Sequence, residues 1–388
     1  MFNDLTFHKI RMKIGIVCYP TFGGSGVVAT ELGMALARRG HQIHFITYRR
    51  PARLIHYQEN VYYHEVSSFD YPLFEYKPYE TALASKMVDV ADHENLDLLH
   101  VHYAVPHATV GYLAKKILAD RGKRVPLITT LHGTDITLVG MDPSFSPVVE
   151  FGINHSDAVT AVSHSLKNQT EEIFKVVRPI QVIYNFINFD RFSRKSSTCR
   201  RSFAQENEKV IVHVSNFRKV KRVEDVIQTF YRIQQIIPAH LVLVGDGPER
   251  YNMEELCRSL KISSRVSCLG NQDAVEDILA TADLFLIPSA NESFGLAALE
   301  ALACQVPVIS SNVGGLPEVN THGVTGYLAD LGDVDTMARY AIELLSDENK
   351  LTAFRKNALM QARRFDLQNI IPEYEKLYQD VLLQVAVA

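Results

Sequence analysis

The chain has 388 residues, 47% of them hydrophobic and 22% charged, and a formal net charge of -4. That length exceeds one ordinary core and suits two domains, and the mild acidity argues against nucleic acid as the main partner. Five cysteines without a CxxC pair, no apolar run of membrane-spanning length and no signal-peptide core fit a reducing cytoplasm, with neither a disulfide framework nor a zinc ribbon.

Residues 1–11 read as an extension before Met12. Lys13 to Tyr19 is a short apolar strand that runs into Pro20-Thr-Phe-Gly-Gly-Ser-Gly, and a helix follows from about Val27 to Arg39, with Gly40 placed as its terminator. Gln42 to Thr47 is the next strand. A βαβ unit with a glycine-rich first turn raises a dinucleotide-binding reading, but Gly24-Ser-Gly26 is followed by Ala29 and the second strand ends in Tyr48-Arg49-Arg50 instead of an acid. The two arginines keep an NADP-dependent oxidoreductase as a distant alternative.

Leu96 to Val101 is a strand leading into His102-Tyr-Ala-Val-Pro-His107. Alternation puts His100 and His102 on one face. No carboxylate or cysteine completes a metal set with His107, so no metal is assigned there. Pro126 to Leu131 is a strand ending in His132-Gly133-Thr134-Asp135. His132 stands at a strand's carboxyl end beside a glycine that permits close backbone approach; the plainer alternative is a core histidine satisfied by Asp135. Asp157 to Ala161 precedes a helix capped by Ser163, and Ile180 to Tyr184 leads into Asn185-Phe-Ile-Asn-Phe-Asp190.

A basic-then-polar stretch over 191–209 reads as the linker between domains spanning 12–190 and 210–365. Val210 to Val214 opens the second domain, followed by Ser215-Asn216-Phe-Arg218-Lys-Val-Lys221-Arg222 and a helix from about Val223. A cation cluster directly after a strand and before a helix suits a diphosphate clamp. His240 to Val244 ends in the tight turn Gly245-Asp246-Gly247-Pro248. Asp333-Val-Asp335 imitates a metal-binding DxD, yet its place just before a helix makes it an N-cap pair. A last helix starts near Leu367, and 366–388 is expected to cross back to the first domain.

The most informative stretch is Ala282 to Val319. A buried strand ends at Pro288, a turn carries Glu292, and a helix begins near Phe294. Val306 to Ser310 and a Gly314-Gly315 turn follow. The N–H groups of Phe294, Gly295 and Leu296, with Ser293 before them, suit an anion at a helix start on the carboxyl edge of a parallel sheet. Glu292 and Glu300, with seven residues between them, would be repelled by phosphate and make sense against hydroxyls. A ligand with both phosphate and polyol is a nucleotide sugar.

This order of Pro, Glu, Phe-Gly, Glu-Ala, Pro-Val and Gly-Gly-Leu-Pro-Glu resembles the paired-glutamate signature of the retaining GT-B glycosyltransferases. The resemblance covers nearly the whole chain from Met12. It implies an α/β protein of two Rossmann-like, doubly wound domains facing each other across a cleft, closing over the donor to exclude water. The blocks Gly15 to Glu31, Val101 to His107, Leu131 to Thr137 and Ser215 to Arg222 narrow the resemblance. They look like the members that move GlcNAc from UDP-GlcNAc to the hydroxyl of L-malate, the first step of bacillithiol biosynthesis.

The resemblance also implies roles. Donor contacts fall to Gly24, Asn216, Arg218, Lys221, Arg222, Gly245, Asp246, Gly247, Glu292, Ser293, Phe294, Gly295, Leu296 and Glu300, with Glu300 on the ribose and Glu292 on the sugar. Acceptor contacts fall to Gly24, Ser25, Gly26, Tyr103, Thr130 and His132. Catalysis rests on His132, Glu292 and Lys221, by front-side attack in which a leaving phosphate oxygen takes the acceptor's proton. No metal and no cofactor are called for; the expected partners are UDP-GlcNAc and L-malate, and the sequence leaves a homo-oligomer open. The competing expectations are a related transferase with inositol phosphate or a sugar phosphate as acceptor, and a non-catalytic nucleotide-sugar-binding subunit.

Overall fold

The computed structural model describes residues 11–21, 23–54, 56–67, 75–194 and 200–387. The expected N-terminal extension up to residue 10, Cys199 and the middle of the expected linker lie outside them. The chain divides into two compact units, Met1–Ile183 with Ile371–Ala388, and Tyr184–Ile370.

Unit 1 contains strands β1 (Lys13–Val17), β2 (Gln42–Thr47), β3 (Val61–Glu65), β4 (Leu98–His102), β5 (Leu127–Leu131), β6 (Ala158–Ala161) and β7 (Ile180–Val182). They form a parallel sheet in the order β3-β2-β1-β4-β5-β6-β7. β4 and β5 are buried along their whole length, as expected for parallel strands covered by helices on both faces. Helix α1 (Gly24–Arg38) follows β1 and helix α2 (Tyr79–Glu94) precedes β4. α1 starts three residues before the expected Val27.

Unit 2 repeats the plan with β8 (Lys209–Val214), β9 (Ala239–Val244), β10 (Val266–Cys268), β11 (Leu284–Ile287), β12 (Val308–Ser311) and β13 (Gly326–Ala329), ordered β10-β9-β8-β11-β12-β13. Helix α3 (Val223–Ile233) carries a continuous apolar face, Val223, Val226, Ile227, Phe230 and Ile233, into the core beside Leu241 and Leu243 of β9. Helix α4 (Leu296–Ala303) follows β11, and helix α5 (Leu367–Val387) ends the chain.

In each sheet the strand order reverses beside the first strand, between β1 and β4 in unit 1 and between β8 and β11 in unit 2. These are the two switch points at whose carboxyl ends ligands of doubly wound sheets bind. From Ile371 onward α5 belongs to unit 1. There Arg39 donates two 2.7 Å hydrogen bonds to Glu375, and Tyr378 shares a 2.8 Å bond with His100 Nδ1. Among the described residues no helix is long and apolar enough to cross a membrane.

Candidate active site

In unit 2 the candidate donor residues gather on the loops leaving β8, β9, β11 and β12. Val220 accepts a 2.8 Å backbone bond from Ala290, which joins the β8 and β11 loops. Beneath them His213 Nδ1 donates to the Leu286 carbonyl at 2.8 Å while Nε2 meets Ser215 Oγ at 2.7 Å. Burial lowers the pKa of His213 to about 4, so it is a neutral brace across the switch point. On this frame Lys221 Nζ donates to Glu292 Oε1 at 2.6 Å, and Ser289 Oγ donates to the same oxygen at 3.0 Å.

The remaining candidates line up around this pair. Phe217 N donates to the Asp246 carbonyl at 3.0 Å and Glu249 N to that of Phe217 at 2.9 Å, so the Gly245–Gly247 turn is fastened to the Asn216–Arg218 loop. Gly315 N donates to the Glu292 carbonyl at 2.8 Å, which sets the Gly-Gly turn against the acidic loop. Asn216 and Arg218 are exposed and Lys221 is half-buried. Glu300 lies on α4, one turn after Leu296 and on the same face.

Two details depart from the sequence reading, the start of α4 and the role of Asp335. α4 begins at Leu296, not near Phe294, because Gly295 turns into the left-handed region at φ +95°. The helix-start donors are therefore Leu296, Ala297 and Ala298, while the Phe294 ring is buried against Tyr184 and Phe365. Arg222, the residue just before α3, is held by Asp225 in the first turn of that helix, with Nε 2.5 Å from Oδ2. Of the three candidate cations Arg218 is exposed, while Lys221 and Arg222 are each held by a carboxylate that a diphosphate would have to displace. Of the Asp333/Asp335 pair only Asp333 is a cap, accepting from Thr336 N at 2.9 Å, whereas Asp335 pairs with Arg232.

Unit 1 assembles a second cluster at its own switch point. Gly24, Ser25 and Gly26 form the first turn of α1, whose N–H groups lack helical partners. Tyr103, on the loop after β4, packs edge-on to Tyr19 of the β1 loop at 5.4 Å, and its hydroxyl bonds the side chains of Ser25 and Thr134. Burial pushes the Tyr103 phenol up to about 12, so it stays a protonated donor. Its backbone takes φ +86°, unusual for a side chain of this size. Asp135 fastens the loops after β4 and β5 by accepting from Ala104 N at 2.8 Å and Gly133 N at 2.8 Å.

Asp135 reaches the backbone N–H of His132, at 3.2 Å, and not its ring. The ring instead shares a 2.8 Å bond between Nε2 and His102 Nδ1, the two imidazoles stacking at 5.1 Å. His107 Nδ1 in turn donates to the His102 carbonyl at 2.5 Å. Desolvation lowers His132 to about 3, His107 to about 4 and His102 well below its ordinary value. His132 is thus a neutral, firmly oriented imidazole beside Tyr103, 5.2 Å between rings. It can accept or donate a hydrogen bond to a ligand but carries no cationic charge near neutral pH.

Thr130 does not join this group. It is fully buried and its hydroxyl is shared between His100 Nε2 and Thr160 Oγ1, both at 2.7 Å. It holds the sheet together. His102 and Tyr19 were not singled out from the sequence as site residues, although strand alternation already placed His102 on the face of His100; their rings lie 4.5 Å apart.

Comparison with known proteins accords with this geometry. Residues 22–191 match the family described as Glycosyltransferase Family 4, and residues 196–360 match Glycosyl transferases group 1. The N-acetyl-alpha-D-glucosaminyl L-malate synthase of Bacillus anthracis is 51% identical over 96% of this chain and 98% of its own. A D-inositol 3-phosphate glycosyltransferase of Thermobispora bispora is 26% identical over 94% of this chain and 91% of its own. A sucrose-phosphate synthase of Thermosynechococcus elongatus shares the fold, with a TM-score of 0.81 at 20% identity over 96% of this chain and 100% of that one. Two doubly wound units with the GT-B architecture, related over their full length to a malate-glycosylating synthase, identify this chain as a member of the glycosyltransferase family.

Proposed function

We propose that the protein transfers GlcNAc from UDP-GlcNAc to the hydroxyl of L-malate with retention at the anomeric carbon. The observation that carries this reading is the 51% identity to the malate synthase, which runs through unit 1 as well as unit 2. Donor-side features are common to transferases with many acceptors, whereas agreement in unit 1 bears on the acceptor.

The chemistry follows from the residues. Lys221, Arg218 and the first turn of α4 meet the charge that develops on the departing diphosphate, so fixed cations and dipoles do the work a metal would otherwise do. When Lys221 turns to phosphate, Glu292 is released toward the sugar hydroxyls, and Glu300 accepts from the ribose. The neutral His132, oriented by His102, holds the sugar by a hydrogen bond without placing a positive charge beside an oxocarbenium-like centre. Malate's carboxylates are taken up by the first turn of α1 and by Tyr103. The leaving phosphate oxygen receives the malate hydroxyl proton. Scattered reduced thiols fit a cytoplasmic enzyme.

The test is a mass-spectrometric assay offering UDP-GlcNAc with malate, inositol phosphate and fructose 6-phosphate in parallel. GlcNAc-malate is the expected product. Product with either phosphate and none with malate would leave the donor half standing and overturn the acceptor.

A further inference from the structure

Unit 1 holds a second group of chemistry-bearing side chains that the transfer reaction does not use. His44 is the third residue of β2, and β3 lies parallel to it with Tyr62 opposite His44 and His64 opposite Ile46. His44, Tyr62 and His64 therefore share one face of the sheet. Helix α2 ends on that face at Glu94. His44 Nδ1 and His64 Nε2 are 3.0 Å apart, and each of His44, His64 and Glu94 offers a ligand atom within 4.8 Å of the other two.

We propose that His44, His64 and Glu94 form a site for a divalent transition metal of the zinc type, which clips the edge strand β3 to β2 and to the end of α2. Two imidazoles and a carboxylate are the donor set such ions prefer, and ligand atoms around a tetrahedral ion stand roughly 3.3 Å apart for bonds of about 2.0 Å. The histidine pair already has nearly that spacing, so small side-chain movements close the set. Three protein ligands leave a fourth position for water.

Other observations point the same way. His44 is buried, and its ring is fixed in plane by stacking on Tyr62 at 4.8 Å and on His64 at 5.2 Å. The 3.0 Å contact between His44 Nδ1 and His64 Nε2 requires one ring to donate, and binding of an ion moves that proton to the ring's other nitrogen and leaves both facing nitrogens as ligands. Glu94 places a carboxylate at a helix C-terminus, where the backbone dipole disfavours negative charge and a cation compensates it. Lys13 stands nearby but spends a 2.9 Å bond on the Glu94 backbone carbonyl. The site lies on the face of β2 and β3 beside the end of α2, whereas the acceptor cluster occupies the loops after β1, β4 and β5. It is structural, not catalytic.

The test titrates zinc chloride into the metal-stripped full chain by calorimetry, with melting followed in parallel. The wild type should bind one zinc per chain and melt at a higher temperature with it. Glu94→Gln and His64→Gln should each lose at least tenfold in zinc affinity and lose the thermal gain, with unchanged far-UV circular dichroism. Glu94 is partly exposed at a helix end, so its isosteric variant keeps the fold intact. No zinc binding by the wild type, or wild-type affinity in either variant, overturns the site and leaves His44 and His64 as a plain hydrogen-bonded pair.

Discussion

Lys221 and Glu292, 71 residues apart in the chain, are joined by a 2.6 Å ion pair at the point where the strand order of the second sheet reverses. Both side chains are largely shielded, at 21% and 13% exposure. In the proposed reaction an incoming diphosphate would compete with Glu292 for the ammonium, and the exchange would free the carboxylate for hydroxyls. Lys221→Ala should weaken UDP binding by about 1.5–3 kcal/mol, the range for hydrogen bonds to charged groups. Glu292→Gln should leave UDP affinity within a few-fold and lower turnover instead. Calorimetry with UDP and a steady-state assay separate the two; equal UDP affinity in Lys221→Ala and wild type would refute the exchange.

Glu300 sits one turn into α4, on the side where Leu296 marks the helix start. A carboxylate there suits a vicinal diol, which offers two donors to two oxygens. Glu300→Ala should cost about 1–3 kcal/mol in UDP affinity, since the ribose hydroxyls lose their acceptor. UMP and UDP should suffer alike if the contact is to ribose and not to phosphate. A variant that still binds both as the wild type does would remove Glu300 from the ribose.

Much of this arrangement could be read in advance, and what escaped did so for identifiable reasons. Apolar runs such as Leu-Ile-Thr-Thr-Leu located buried parallel strands, and Gly-Asp-Gly-Pro and Gly-Gly located the turns after β9 and β12. β3 escapes a reading from sequence because Val-Tyr-Tyr-His-Glu is a half-exposed edge strand with no clean alternation. α2 gives a weak signal because its buried residues, Leu83, Ala84, Met87, Val88, Val90 and Ala91, are few among polar neighbours. The metal-ligating trio lies on those two elements and β2, so it could not be seen from spacing. The His102–His132 bond depends on the β4–β5 register, which sets His102 opposite Thr130, and register between distant strands is a tertiary property. The start of α4 was misplaced because the backbone turn at Gly295 delays the helix.

The buried neutral histidines make stability depend on acidity. Folded-state values of about 3 for His100 and His132 and about 4 for His107 and His213 lie below the ordinary 6.5. The unfolded chain therefore binds protons first as pH drops. Their contribution is complete above about pH 6.5 and is lost as pH falls toward the folded values, each group adding up to about 1.4 kcal/mol per pH unit to the slope. Asp135, raised to about 6 by burial, acts oppositely between its ordinary 3.8 and that value and offsets one histidine. Urea denaturation at pH 7.5, 6.5, 5.5 and 4.5 should give free energies that begin to fall between the first two values and fall steeply after. A flat profile down to pH 4.5 would mean the histidines are already charged in the folded protein.

The acceptor side can be separated from the donor side by one glycine. A Cβ on Gly26 would fall 2.4 Å from the Tyr19 carbonyl oxygen and 2.5 Å from that of Thr21, both backbone atoms that cannot yield cheaply. Gly26→Ala must therefore shift the first turn of α1 away from the β1 loop, and with it the N–H groups proposed to hold a malate carboxylate. The expected result is a KM for malate raised at least tenfold, with UDP affinity changed far less because every candidate donor residue except Gly24 belongs to unit 2. Lactate, which lacks the second carboxylate, should be a poor acceptor for the wild type, since donors placed for that group are left unpaired. The preference for malate over lactate should shrink in Gly26→Ala if the carboxylate at α1 is the one lactate lacks. An unchanged malate KM in a variant that folds would move the carboxylate away from α1 and leave Tyr103 and its loop as the acceptor's anchor.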